Sequence, residues 1–151
     1  LKNNLIIREA HKDDINMLIE LLRELFSIEE DFVFDNGKQK RGLEMMLEDR
    51  NNRRIFAADL DGKVVGMISG QILVSTAEGA ASVLVEDVVV DRVYRERGIG
   101  KELLLNIQNW AILKGAKRMQ LLADKHNTSA IDFYRHFKLD NTNLICLVKK
   151  I

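Results

Sequence analysis

The chain contains no proline and only one cysteine, Cys146, among its 151 residues. A lone cysteine excludes an intrachain disulfide and fits a reducing compartment. The missing proline separates no function classes. An excess of one charge is missing too: Lys plus Arg and Asp plus Glu both number 23, so no global field draws the protein to nucleic acid or an anionic membrane. Any anion site must be local. No apolar run approaches the roughly 18 residues that span a bilayer. Leu1-Lys2-Asn3-Asn4 lacks a signal-peptide pattern, which makes the cytoplasm the expected compartment. Histidines are few, and His11, His126 and His136 have no ligand spacing with Cys146, so no metal site is expected.

What is present is 46% hydrophobic and 30% charged, at a length suited to one domain, 1–151, with one good core. There is no repeat, linker or low-complexity tract. Short strands are expected at 4–8, 53–60, 63–76, 82–90, 117–123 and 144–149. Asp61-Gly62 marks a hairpin turn between the second and third. Apolar residues at helical spacing (Ile15, Leu18, Ile19, Leu22, Leu25, Phe26) predict a helix over 13–26, with Asp13 or Asp14 capping its first turn. Further helices are predicted at 38–50, 98–114 and 127–137; the third turns Leu103, Leu104, Ile107 and Trp110 toward the core and stops at Gly115. The reading is one compact α/β (α+β) domain, with Cys146 in a late core strand rather than acting as a nucleophile.

Chemistry concentrates between the strand ending at Val90 and the helix starting near Gly98, in Asp91-Arg92-Val93-Tyr94-Arg95-Glu96-Arg97-Gly98-Ile99-Gly100-Lys101. Glycines at a helix start let backbone approach a ligand. The unpaired amides of a first turn and its positive dipole end suit phosphate. Arg92, Arg95, Arg97 and Lys101 outweigh Asp91 and Glu96, a local excess in a chain whose net charge is zero. A dinucleotide fingerprint fails because Leu103 stands where a third small residue is needed. A Walker loop fails because Arg95 and Glu102 stand where glycine and Ser/Thr are required.

The segment resembles the GNAT superfamily of N-acetyltransferases, whose hallmark Gln/Arg-x-x-Gly-x-Gly/Ala is filled by Arg95, Gly98 and Gly100. The preceding Val85-Glu86-Asp87-Val88-Val89-Val90 looks like that family's fourth strand, and Asn127-Thr128-Ser129-Ala130-Ile131-Asp132-Phe133-Tyr134 like its late helix. The resemblance implies the GNAT fold: a mixed, mostly antiparallel central sheet with helices on both faces and a splay between the fourth and fifth strands. It implies acetyl-CoA as co-substrate and no metal. Residues Arg95, Glu96, Arg97, Gly98, Ile99, Gly100 and Lys101 would hold the pyrophosphate, Val88, Val89 and Val90 would pair with the pantetheine arm, and Asn127 would bond it or cap its own helix. Tyr134 matches the family's general acid. Glu86 is the first choice of general base, directly or through water, and Asp87 the second; a regular strand would put them on opposite faces unless a bulge intervenes.

The acceptor is less legible. Glu29, Glu30, Asp31 and Asp35 among Phe32 and Phe34 would suit a cationic amine, small or on a peptide, with Glu29, Glu30 and Asp87 as candidate contacts. The stretch Glu86 to Asp91 also looks like that of glucosamine-6-phosphate N-acetyltransferases. A non-catalytic acetyl-CoA-binding module is the competing class. His126, beside Asn127, is a candidate proton relay. A homodimer is compatible with this reading. One departure from the family is Lys138-Leu139 where the late helix often ends in Gly-Phe.

Overall fold

The computed structural model describes residues 4–151. Five strands form one sheet in the order β1-β2-β3-β4-β5, with β1 Leu5–Glu9, β2 Arg53–Leu60, β3 Lys63–Ser75, β4 Ala80–Val90 and β5 Ala116–Leu121. The first four run antiparallel to their neighbours and β5 runs parallel to β4. The helices are α1 Ile15–Ile28, α2 Asn36–Glu48, α3 Ile99–Leu113 and α4 Thr128–His136.

Strand alternation divides the apolar residues between two cores. On one face Leu18, Ile19 and Leu22 of α1 and Leu43 of α2 meet Ala57, Met67 and Val89. On the other, Leu103, Leu104, Ile107 and Trp110 of α3 meet Ala58, Ile68, Val83 and Val85, with Phe133 and Tyr134 of α4 and Phe137 just past its end at the margin. The close seating of α3 depends on Gly70. A Cβ there would sit 2.8 Å from Ile107 Cδ1 and 3.2 Å from Val83 Cγ2. Gly70→Ala is therefore expected to destabilise the fold by about 1–3 kcal/mol through overpacking, read as a lower thermal midpoint.

The Asp61-Gly62 turn forms as expected, with φ of 52° and 87° at its two residues. Asp14 differs from expectation. It ends a short 3-10 turn, Lys12–Asp14, and its carboxylate accepts from the His11 amide at 2.7 Å and from two Arg8 nitrogens at 2.8 and 2.9 Å. It thus ties β1 to the start of α1 instead of capping that helix. After α4 the amides of Lys138 and Leu139 donate back to Arg135 and Tyr134 at 2.9 and 3.0 Å. This closure requires a left-handed residue, and Lys138 supplies it at φ 70° where glycine would be unstrained.

The strand expected at 144–149 is absent from the described residues. Leu144, Ile145, Leu147 and Val148 are 78–86% exposed, and Cys146 is exposed rather than in the core. A strand needs an edge to pair with, and beyond α4 the chain does not return to the edge of its own sheet.

Candidate active site

The site begins with an irregularity in β4. Val89 lies opposite Met67 and Glu86 opposite Ser69, so β4 uses three steps where β3 uses two. The extra residue is a β-bulge, and Asp87 adopts φ 52° within it. The hydroxyl of Ser69, a buried residue of β3, lies 3.0 Å from the Glu86 carbonyl and 3.2 Å from Asp87 Oδ2. Val85 belongs to the α3 core, so Glu86 projects toward the α1 face. The bulge turns Asp87 to Ser69 on that face as well.

Around this point four segments bring acids together. Burial pushes the Asp87 carboxyl up to about 6; Glu86 adds to the effect and the Ser69 contact opposes it. At the end of α1, Glu29 is also pushed up, first by burial and then by the charges of Asp87, Asp124, Asp31 and Glu86. Tyr134 on α4 is raised to about 12 by burial and then by Glu29. Mutual influence of this kind requires proximity, so Glu29, Glu86, Asp87, Asp124 and Tyr134 share one acidic mouth. Glu30 is exposed beside it. The loop aromatics are less available than their spacing implied: Phe32 stacks on Phe26 at 5.3 Å, and Arg23 covers the Phe34 ring at 4.2 Å.

Next to the mouth the sheet opens. Pairing of β4 with β5 runs from Ala81↔Ala116 to Val85↔Leu121 and stops there. Val88 to Val90 therefore have β3 on one side and no described strand on the other, which leaves an edge for an extended ligand. Asn127 caps α4, its Oδ1 accepting from the Ala130 amide at 3.1 Å. The His126 amide donates to Asp124 Oδ1 at 2.9 Å, while its side chain is exposed.

The basic loop closes the far end. Glu102 is the first α3 amide with a helical acceptor, Gly98 O at 3.2 Å, so the amides of Ile99, Gly100 and Lys101 point out of the first turn unpaired within the helix. Gly98 sits at φ 81° with open space where a Cβ would stand. Gly100 matters for packing instead. Its Cβ would lie 3.2 Å from Phe133 Cζ, so its smallness lets α4 come close. Arg95 is committed to structure, donating to Val90 O at 2.9 Å and to Glu24 at 2.9 Å. Glu24 also accepts from the Arg92 amide at 3.1 Å. No sequence signal pairs Glu24 with a loop some seventy residues away. The guanidinium of Arg97 stands over Tyr94 at 5.3 Å, and the side chains of Arg92, Arg97 and Lys101 stay exposed. Amides, dipole and cations together suit a diphosphate.

The geometry agrees with the comparisons. The acetyltransferase (GNAT) family model matches residues 15–138. The chain is 24% identical over 140 residues to an uncharacterized N-acetyltransferase of Methanocaldococcus jannaschii, covering 92% of this chain and 62% of that protein. It is likewise 24% identical over 98 residues to an aminoglycoside N(6')-acetyltransferase type 1 of Salmonella typhimurium, across 63% of this chain and 68% of the relative. Among solved structures, the aminoglycoside N-acetyltransferase AAC(6')-Iy in complex with CoA superposes with a TM-score of 0.85 at 20% identity, over 99% of this chain and 97% of the other. The family match spans most of the length, and the sheet carries a splay between β4 and β5 and a bulge in β4: this chain belongs to the GNAT family of acetyltransferases.

Proposed function

We propose that the protein transfers acetyl from acetyl-CoA directly to a primary amine of a small, multiply cationic acceptor. The observation that carries this reading is the acidic mouth of Glu29, Glu86, Asp87 and Asp124 at the open end of the β4–β5 splay, with Tyr134 beside it. Acetyl-CoA supplies an activated thioester. This chain's residues hold it: first-turn amides and Arg97 or Lys101 at the pyrophosphate, Val88 to Val90 along the arm, and the Asn127 side-chain amide nitrogen near it.

The amine nitrogen attacks the thioester carbonyl carbon, a C–N bond forms and the C–S bond breaks. An alkyl amine with a pKa of about 10 must first shed a proton. Asp87 is the better placed acceptor, because burial makes it more basic than an ordinary carboxylate while a value of about 6 still lets it ionise at neutral pH. Glu86, the first choice from sequence, then serves the acceptor's other positive charges or relays through water. An amide freed from the β4 ladder by the bulge donates to the oxygen that gains charge. The departing sulfur takes its proton from Tyr134, which at about 12 remains protonated at any working pH, and the second proton lost by the new amide nitrogen restores the phenol. Tyr134→Phe is expected to lower kcat by about a hundredfold, at the low end of the range of general acid catalysis, with acetyl-CoA affinity unchanged by calorimetry.

The acidic mouth also bears on acceptor choice. It attracts an aminoglycoside or polyamine and repels a phosphorylated amino sugar. The aminoglycoside acetyltransferase relative supports the same class. Thiol release from acetyl-CoA across aminoglycosides, polyamines, amino sugars, amino acids and peptides tests this. Multiply charged amines should give kcat/KM at least about tenfold above neutral monoamines, with KM rising as salt screens the mouth. Tight acetyl-CoA binding with no release on any amine would instead identify a binding module.

A further inference from the structure

Glu24 of α1 stands against the β4–α3 loop. It follows Leu21 and Leu22, which are buried in the core that α1 shares with Met67 and Val89, so the helix is firmly seated on the sheet. Its Oε1 accepts from the Arg92 amide at 3.1 Å and from Arg95 Nη2 at 2.9 Å. Arg95 in turn donates from Nε to Val90 O at 2.9 Å. The next amide, that of Asp91, points across the ladder to Val65 O at 2.8 Å. In a trans peptide the carbonyl points the opposite way, so Val90 O faces the open side of β4. One guanidinium thus joins α1 to the strand edge along which the pantetheine arm would lie.

The loop needs a hold from outside. Glu96 takes φ 62° and Gly98 φ 81°, two left-handed residues within three, and the first carries a side chain that disfavours this conformation. Other contacts in the loop are local. Asp91 caps the 3-10 turn Arg92–Tyr94 through the Val93 amide at 3.0 Å, and Arg97 reaches back to Val93 O at 3.3 Å. Among the described residues, hydrogen bonds joining residues 92–97 to a strand or an α-helix involve Glu24, Val90 and, at 3.5 Å, Lys63. By charge alone Glu24 has the wrong sign for this place. A carboxylate near a diphosphate repels it, and this one also neutralises Arg95. What it supplies is shape.

We propose that Glu24 is a positioning residue for the donor: it clamps the Arg92 amide and the Arg95 guanidinium together, and so keeps the loop in the form that presents the first-turn amides of α3 to the acetyl-CoA pyrophosphate. The inference rests on the reading of that loop as the donor site and adds to it a residue contributed by α1.

Calorimetric titration of acetyl-CoA into the full chain tests it, with variants that separate reach from charge. Glu24→Gln keeps an acceptor oxygen at the same reach without the charge, and should bind within about threefold of wild type. Glu24→Asp keeps the charge on a side chain one methylene shorter, and Glu24→Ala removes both. Each should weaken acetyl-CoA by about tenfold, the loss of a hydrogen-bonded charge pair. In an Arg95→Ala background, Glu24→Ala should weaken it by less than about threefold further, because the two residues form one link. Circular dichroism and thermal melts establish that each variant is folded. Unchanged or tighter binding in Glu24→Ala, as relief of repulsion would give, overturns the inference. So does a loss in Glu24→Gln as large as that in Glu24→Ala. Gly98→Asp, titrated alongside, separates the two levels. If it weakens acetyl-CoA and Glu24→Ala does not, the donor site stands and the positioning role fails; if neither weakens it, the donor site fails as well.

Discussion

Replacing Asp87 with asparagine is expected to make the enzyme slower and the fold stronger. In the bulge of β4 the carboxyl is raised from 3.8 to about 6, chiefly by burial. Below the lower value the group is neutral in both folded and unfolded chains. Between the two values the folded chain retains a proton that the unfolded chain has released, so stability falls as pH rises through that window and stays lower above it. Asparagine removes this penalty. The variant should be more stable by about 1–2 kcal/mol at pH 8, after discounting for partial solvent access, and equal to wild type at about pH 3, below the lower value. For catalysis the sign reverses, because only the ionised carboxylate accepts a proton. In wild type kcat/KM should decline below about pH 6. In Asp87→Asn that limb should vanish and kcat should drop by about a hundred- to a thousandfold. Thermal melts at the two pH values and a pH–rate profile check both halves. If Glu86→Gln proves the more damaging change and Asp87→Asn keeps the limb, the base is Glu86.

Gly98→Asp should have an equally large effect on the donor side. The residue caps α3 from φ 81°, and its missing Cβ faces open space. A carboxylate there stands at the positive end of the helix, where the pyrophosphate would lie. Repulsion between like charges and competition for the first-turn amides should weaken acetyl-CoA by about a hundredfold, close to 3 kcal/mol. Gly98→Ala separates charge from backbone strain. It should cost about 1 kcal/mol of stability for a left-handed alanine and only a severalfold loss of affinity. Calorimetric titration of acetyl-CoA into both variants reads the difference, and unchanged affinity in Gly98→Asp would remove the loop from the donor site.

Much of this was legible in the sequence because it rests on local patterns. Leu103, Leu104, Ile107 and Trp110 face the core at the helical period that predicts it, and β2, β3 and β4 appear within a few residues of their expected limits. The helix start at Gly98 that the glycines imply is present, with its first-turn amides unpaired within the helix and Arg97 and Lys101 exposed beside it. What stayed hidden depends on contacts distant in the chain. The bulge at Asp87 is accompanied by contacts from Ser69 across the ladder to both Glu86 and Asp87, and alternation alone cannot show a slip of one residue. Glu24 reads as one more exposed helix position until folding lays it against Arg92 and Arg95. The segment 144–149 has the composition of a strand, but composition cannot show that the chain after α4 reaches no edge of its own sheet.

The most direct test of the account is a single incubation of the protein with acetyl-CoA and an aminoglycoside or polyamine, following thiol release and the mass of the amine together. The account predicts one acetyl group gained by the amine for each thiol released, saturating in acetyl-CoA and suppressed in Gly98→Asp. Thiol release without acetylated amine, or acetylation that Gly98→Asp leaves untouched, would contradict it.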